Sequence, residues 1–190
     1  MIELGPATGD LPREIVDIPG GFSWWYADMV DEDGNGVVCI WSFGLPFLPG
    51  YVHADRMGCA PTARQRPSLT LSVYKNGKED FYLFTELEPE SCHWGTDSWQ
   101  FGSSSAVLDR AGILTIKLDL PIPGARDRFL GKMTLTGNVR KGQLGGQRST
   151  VHSWEPVLLG QIEAFFEAEM GDEAYSITGR GYHDRNAGTT

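Results

Sequence analysis

Gln161-Ile162-Glu163-Ala164-Phe165-Phe166-Glu167-Ala168-Glu169-Met170 is the stretch that decides the fold. Ile162, Ala164, Phe166, Ala168 and Met170 fall on one side of an extended chain. Gln161, Glu163, Glu167 and Glu169 fall on the other. A period of two is that of a half-buried β-strand, with one face toward a core and one toward water. Gly171-Asp172 then turns the chain back into a strand from Tyr175 to Tyr182. Ile113 to Leu120 repeats the pattern, with Leu114, Ile116, Leu118 and Leu120 opposite Thr115, Lys117 and Asp119.

Working outward, two more hairpins are visible. Ser23 to Val30 is aromatic-rich, Asp31 to Gly36 is a turn, and Val37 to Phe43 returns. Leu69, Leu71 and Val73 alternate with Thr70 and Ser72, turn at Asn76-Gly77 and return through Phe81 to Phe84. Asn-Gly between alternating runs is a strong hairpin signal. Helical periodicity is nearly absent. The expectation is about eight to ten short strands in an all-β, antiparallel barrel or sandwich. Length sets one domain, residues 1–190, as the default. Phe43 to Arg66, with Pro46, Pro49, Pro61, Phe47 and Tyr51, has no clear period and is placed to cover a barrel mouth. Lys141 to Thr150 is polar and is expected to be a flexible loop.

Composition narrows the partners. The net charge of −9 repels phosphate backbones, so no nucleic-acid partner is expected. That charge leaves peripheral membrane contact open. Hydrophobic residues are 41% and charged residues 22%, ordinary for a globular chain, and no apolar run is long enough for a membrane-spanning helix. Met1 to Pro6 lacks the basic start and apolar core of a signal peptide, so a cytoplasmic location is the default expectation. Cys39, Cys59 and Cys92 are widely spaced and fit free thiols rather than a disulfide scaffold. His53, His93, His152 and His183 form no H-x-H or H-x-x-x-H pair, so no metal is expected. The Gly-rich turns do not lead from strand to helix, and there is no G-x-S-x-G, which disfavours phosphate loops and serine hydrolases. Asp31 to Gly36 lacks the distal Glu of a calcium loop.

The chemistry-bearing residues lie in the last third. His152-Ser153-Trp154 and Tyr182-His183-Asp184 each put two functional side chains at i and i+2, on one face of a strand. If those faces meet, an acid, a base and two π-faces share one pocket. That set suits acid chemistry on an apolar alkene better than hydrolysis or phosphoryl transfer. Alternation sends His183 to the opposite face, as a structural residue. Trp24 and Tyr26 share a face and Trp25 takes the other, with core packing the favoured role. Asp28 is expected to be a solvated residue near a turn.

These residues carry a family resemblance over nearly the whole chain. Ser23 to Asp28, His152-Ser153-Trp154-Glu155-Pro156 and Gly179 to Gly188 are similar to the N-terminal lipocalin-like domain of the carotenoid 1,2-hydratases, or hydroxyneurosporene synthases. The likeness is strongest in the final forty residues and loose in the middle. It implies an antiparallel lipocalin-like barrel. Members of that family are usually longer, with a second barrel after the Tyr-x-Asp-x-Asn motif, which is expected to be absent or truncated in this chain. Ala187 stands where the family commonly has Trp.

The resemblance implies cofactor-free, acid-catalysed addition of water to a C=C bond of an acyclic isoprenoid, the work of a hydro-lyase. Asp184 is then the candidate acid, since burial keeps a carboxyl protonated. Trp154 and Tyr182 are candidates to stabilise the tertiary cation, each ring contributing roughly 0.5–2 kcal/mol. Neutral His152 is the candidate acceptor of the water proton. The expected partner is a hydrophobic small molecule, with no cofactor. Two alternatives stand beside this reading: a non-catalytic binder of a hydrophobic ligand, and a pericyclase-type (Diels–Alder) cyclase on the same fold.

Overall fold

The computed structural model describes residues 4–6, 13–48, 50–95, 97–139, 145–147 and 152–189. Among these, fourteen strands follow in chain order: β1 (Leu4–Pro6), β2 (Gly21–Val30), β3 (Gly36–Phe43), β4 (Pro67–Lys75), β5 (Lys78–Glu86), β6 (Cys92–Trp94), β7 (Ser98–Phe101), β8 (Ser104–Leu108), β9 (Ile113–Pro121), β10 (Arg128–Val139), β11 (Gly145–Gln147), β12 (His152–Pro156), β13 (Leu158–Met170) and β14 (Glu173–Thr189). One helix, α1 (Tyr51–Arg56), and three short 3-10 turns complete the described elements. The expected hairpins are all present, and every strand pairing is antiparallel.

The main sheet runs β5-β4-β3-β2-β14-β13-β10-β9-β8-β7-β6, with β12 added on β14. It curls into a half-barrel whose hydrogen-bonded path ends at β5 and β6. Ring contacts across the curl join strands far apart on that path. Trp25 on β2 stacks on Trp99 on β7 at 5.4 Å, and Trp41 on β3 meets Phe101 edge-on at 5.6 Å. The inner face is therefore filled with side chains: Trp25, Trp41, Phe43, Leu69, Leu71, Trp99, Phe101, Phe129 and Phe166 all belong to one buried cluster. Ile162, Ala164, Phe166 and Ala168 enter it from β13, and Leu114, Ile116, Leu118 and Leu120 from β9. Met170, at the strand end, packs against it while half-buried.

Strand β14 is the organiser of the fold. Residues 173–180 pair with β13, 180–189 pair with β2, and 184–188 also pair with β12. Gly179 and Gly181 allow this close passage. A Cβ at Gly179 would lie 2.2 Å from the Val30 carbonyl oxygen, and one at Gly181 would lie 2.2 Å from Leu135 Cδ2.

Three expectations need correction. The strands exceed the expected number, because β6, β7, β8 and β10 carry shorter or glycine-interrupted alternation; Gly131 and Gly137 interrupt β10. The Phe43–Arg66 segment divides: Ala63 is buried in the main core and Arg64 lies 4.5 Å over the Trp94 ring of β6, while the earlier part lies elsewhere. Leu45, Leu48 and Tyr51 pack with Trp24 and Phe84, over the face of the sheet opposite the main core. Tyr51 is anchored there by its hydroxyl, which donates to the Gly21 carbonyl at 2.6 Å. Finally, of the expected loop Lys141–Thr150, residues 145–147 form β11, paired with β1. The remainder of that loop, and Pro49, lie outside the described residues.

Candidate active site

Register places the candidate residues before any side-chain contact is considered. Across β12, β14 and β2, Trp154 pairs with Asn186 and Asn186 with Trp24, while His152 pairs with Gly188. Asp184 pairs with Tyr26, and Tyr182 with Asp28. Directly paired residues share a face. His152, Trp154, Tyr182 and Asp184 therefore meet, as their spacing implied. They meet on the outer face, opposite the aromatic core. His183 and Arg185 take the inner face: His183 is 1% exposed and its ring stacks on Trp99 at 5.6 Å.

Asp184 is the hub of the outer face. It is 7% exposed. Its Oδ2 accepts the Trp154 Nε1–H at 2.6 Å and the Tyr182 hydroxyl at 2.9 Å. Its Oδ1 accepts the Asn186 side-chain amide at 2.7 Å. Trp154 Nε1 also lies 3.0 Å from the Tyr182 oxygen, so the indole N–H is shared between phenol and carboxyl. Burial pushes the Asp184 carboxyl above its ordinary range, opposed by the Trp154, Tyr182 and Asn186 donors, with a further rise from the like charge of Asp28. Burial and the neighbouring Asp184 likewise raise the Tyr182 phenol, which remains a donor throughout the neutral range.

Asn186 extends the array to His152. With its amide nitrogen turned to Asp184, its carbonyl oxygen faces His152 Nε2 at 2.9 Å. An amide oxygen only accepts, so Nε2–H is the donor of this bond. Phe22 and Trp24 wall the imidazole, at ring distances of 5.5 and 5.4 Å. Farther along this face, Phe47 lies 6.3 Å from Trp24 and is 79% exposed. Val38 and Ile40 continue the face from Asp28 and Tyr26 toward β4 and β5, where Tyr82 is 54% exposed. The acid thus sits at the edge of an apolar, half-open surface.

Two residues were misjudged or overlooked in the sequence. Asp28 is not a solvated turn residue. It is half-buried on β2, and its Oδ2 accepts the Tyr26 hydroxyl at 2.7 Å. Burial raises its pKa, and the Tyr26 hydroxyl opposes the rise. Asn186 carried no assigned role, although it stands at i+2 from Asp184, the same spacing that identified the other pairs. Trp24 and Tyr26 do share a face; it is the outer one, where Trp24 packs against the buried cluster of Leu45, Leu48 and Tyr51. No group of three or more His, Cys, Asp or Glu side chains able to hold a metal comes together among the described residues. Nor is any described helix long and apolar enough to cross a membrane.

No protein-family model matches the chain. It is 29% identical over 190 residues to an acyclic carotenoid 1,2-hydratase of Thiocapsa roseopersicina, covering 96% of this chain and 44% of that protein. It is 25% identical over 195 residues to a hydroxyneurosporene dehydrogenase of Chlorobaculum tepidum, covering 92% of this chain and 51% of that protein. The chain thus spans about half the length of these curated relatives. Among solved structures, a protein assigned as AttH from Nitrosomonas europaea superposes with a TM-score of 0.55 at 15% identity, over 92% of this chain and 52% of that one. Over most of its length, then, the chain is similar in sequence to the carotenoid hydratase family, as its two motifs led one to expect, and similar in fold to a lipocalin-like AttH protein.

Proposed function

We propose that this chain hydrates a C=C bond of an acyclic, isoprenoid-like hydrophobic substrate by acid catalysis, without a cofactor. The observation that carries this reading is the Asp184 carboxyl, nearly excluded from water and in hydrogen-bond contact with both an indole and a phenol. The relatives and the fold support a carotenoid-related role and a hydrophobic small-molecule ligand.

Asp184 transfers its proton to the less substituted alkene carbon, and the π electrons form the new C–H bond. A tertiary cation and an Asp184 carboxylate result. The faces of Trp154 and Tyr182 stabilise the cation, the more so because the site is poorly solvated. A water oxygen adds to the cation, and His152 takes the surplus proton. Return of that proton through solvent regenerates Asp184. The net change is alkene plus water to tertiary alcohol.

The filled interior bears on the alternatives. A lipocalin-style binder would hold its ligand inside the barrel, but this interior is occupied by Trp25, Trp41, Trp99, Phe101 and their neighbours. On this reading a ligand of this chain binds the outer face, beside Asp184. The test is incubation with an acyclic isoprenoid bearing a terminal trisubstituted alkene, in micelles and heavy-oxygen water. A hydratase yields a tertiary alcohol carrying the label. Asp184→Asn abolishes that product while ligand quenching of tryptophan fluorescence persists. A label-free cyclised product identifies a cyclase, and quenching without product identifies a binder.

A further inference from the structure

The outer face holds two copies of one short motif. Tyr26-Ala27-Asp28 on β2 and Tyr182-His183-Asp184 on β14 run antiparallel, and their register is crossed: Tyr26 pairs with Asp184, and Asp28 with Tyr182. In each motif the tyrosine hydroxyl donates to the aspartate two residues along its own strand, at 2.7 Å for Tyr26 and 2.9 Å for Tyr182. The two rings lie 6.1 Å apart. Two phenols and two carboxyls thus occupy the corners of a square about a local two-fold axis between the strands, with like groups on the diagonals. Diagonal neighbours on one face of an antiparallel pair are about 7–8 Å apart at Cα and nearer at their side chains.

The square is symmetric in sequence but not in surroundings. Asp184 lies under β12, whose Trp154 donates to it, and is 7% exposed. Asp28 lies beyond the end of β12, facing Val38 on β3, and is half-buried. Two carboxyls at this spacing in a poorly solvated place do not ionise independently. The first charge falls on the better hydrated group and holds the proton on the other.

We propose that Asp28 is a second functional carboxylate of this site, a positioning residue that takes the negative charge of the quartet and so keeps Asp184 in its proton-donating form. This rests on the hydratase reading above and deepens it. It explains how Asp184, with three donors aimed at it, stays proton-bearing: donors favour the charged form, and a fixed neighbouring charge opposes them. The like charge of Asp28 acts on Asp184, which is otherwise raised mainly by burial. The other groups facing the square are Tyr74 from β4, Tyr82 from β5, His152 at Asn186 from β12, and Arg180, which is in register with Val30 and Glu163. Arg185 and Glu155 pair with each other on the inner side.

The test is the titration of the aspartate carboxyl carbons by carbon-13 NMR, in the free protein and in Asp28→Asn. Asp184 is expected to titrate above the ordinary carboxylate range, and its midpoint to fall by about one pH unit in Asp28→Asn, a tenfold drop in proton affinity. The alkaline limb of the hydration pH profile should move to lower pH by the same amount, and Asp28→Glu should restore it. An Asp184 midpoint unmoved by Asp28→Asn overturns the proposal. If that variant does not fold, Tyr26→Phe substitutes for it. Loss of its hydroxyl should raise the Asp28 midpoint, and an unchanged midpoint also overturns the proposal. The titration needs no turnover. A shifted Asp184 in a protein that hydrates nothing therefore keeps the quartet and removes the hydratase reading, whereas hydration with no shift removes the quartet alone.

Discussion

Residues 182 to 186 of one strand serve two unlike regions. Tyr182, Asp184 and Asn186 point to the outer face, where their polar atoms bond one another and β12. His183 and Arg185 point to the inner face, where His183 is clamped between Trp99 and a hydrogen bond from Nδ1 to the Tyr26 carbonyl at 2.7 Å. The same burial acts in opposite senses on the two aspects. Desolvation raises the Asp184 carboxyl, toward a protonated group that can give up its proton. It lowers His183 to about 4, toward a neutral ring that packs. Chemistry and packing thus alternate residue by residue, and substitutions one position apart should have different consequences.

The sharpest break in that pattern comes from Asp184→Asn. Hydration should fall roughly 10²–10⁴-fold, the usual contribution of a general acid. Melting temperature at neutral pH should change little, because an amide matches the protonated carboxyl in shape, with one accepting oxygen and one donating group. Kinetics and calorimetry on one sample check both. His183→Ala should do the reverse. It leaves a cavity against Trp99 and should cost about 2–4 kcal/mol in urea unfolding, with turnover per folded molecule changing far less.

How much of this was legible in the sequence follows from what a period of two does and does not encode. Spacing alone put Tyr182 with Asp184, put His152 with Trp154, and sent His183 away from them. It could not say which side of the sheet curls inward, since that depends on strands such as β7, whose Trp99 closes the core. For the same reason the spacing left open whether the shared pocket lies inside or outside the curl. Asp28 was misjudged because an aspartate just before Asp31-Glu32-Asp33-Gly34 looks solvated on its own. Its environment is supplied by Tyr182, far along the chain, through a register no local pattern reveals.

The two faces also separate by pH. His183 is lowered from 6.5 to about 4, so its contribution is complete above pH 6.5 and is lost as pH falls toward 4, by up to about 3 kcal/mol. Asp28 and Asp184 are raised, so their contribution is complete below 3.8 and is lost as pH rises through their folded values. Within pH 4–6.5 the inner face therefore favours the alkaline side and the outer face the acid side. Urea unfolding across that window should show an acid-side loss that His183→Ala removes and Asp184→Asn steepens. The smallest expected effect is that of Trp154→Phe, which keeps a ring but removes the shared indole N–H. A lost hydrogen bond of about 1.5–3 kcal/mol to a charged group predicts a fall in hydration of about ten- to a hundredfold. Equal activity in Trp154→Phe would leave the indole only its π-face as a role.

The most direct measurement is a structure of the chain with a bound acyclic isoprenoid bearing a terminal trisubstituted alkene. The account predicts that the double bond lies on the outer face, against the Asp184 carboxyl and between the Trp154 and Tyr182 rings. A ligand threaded through the half-barrel interior, among Trp25, Trp41 and Trp99, contradicts it.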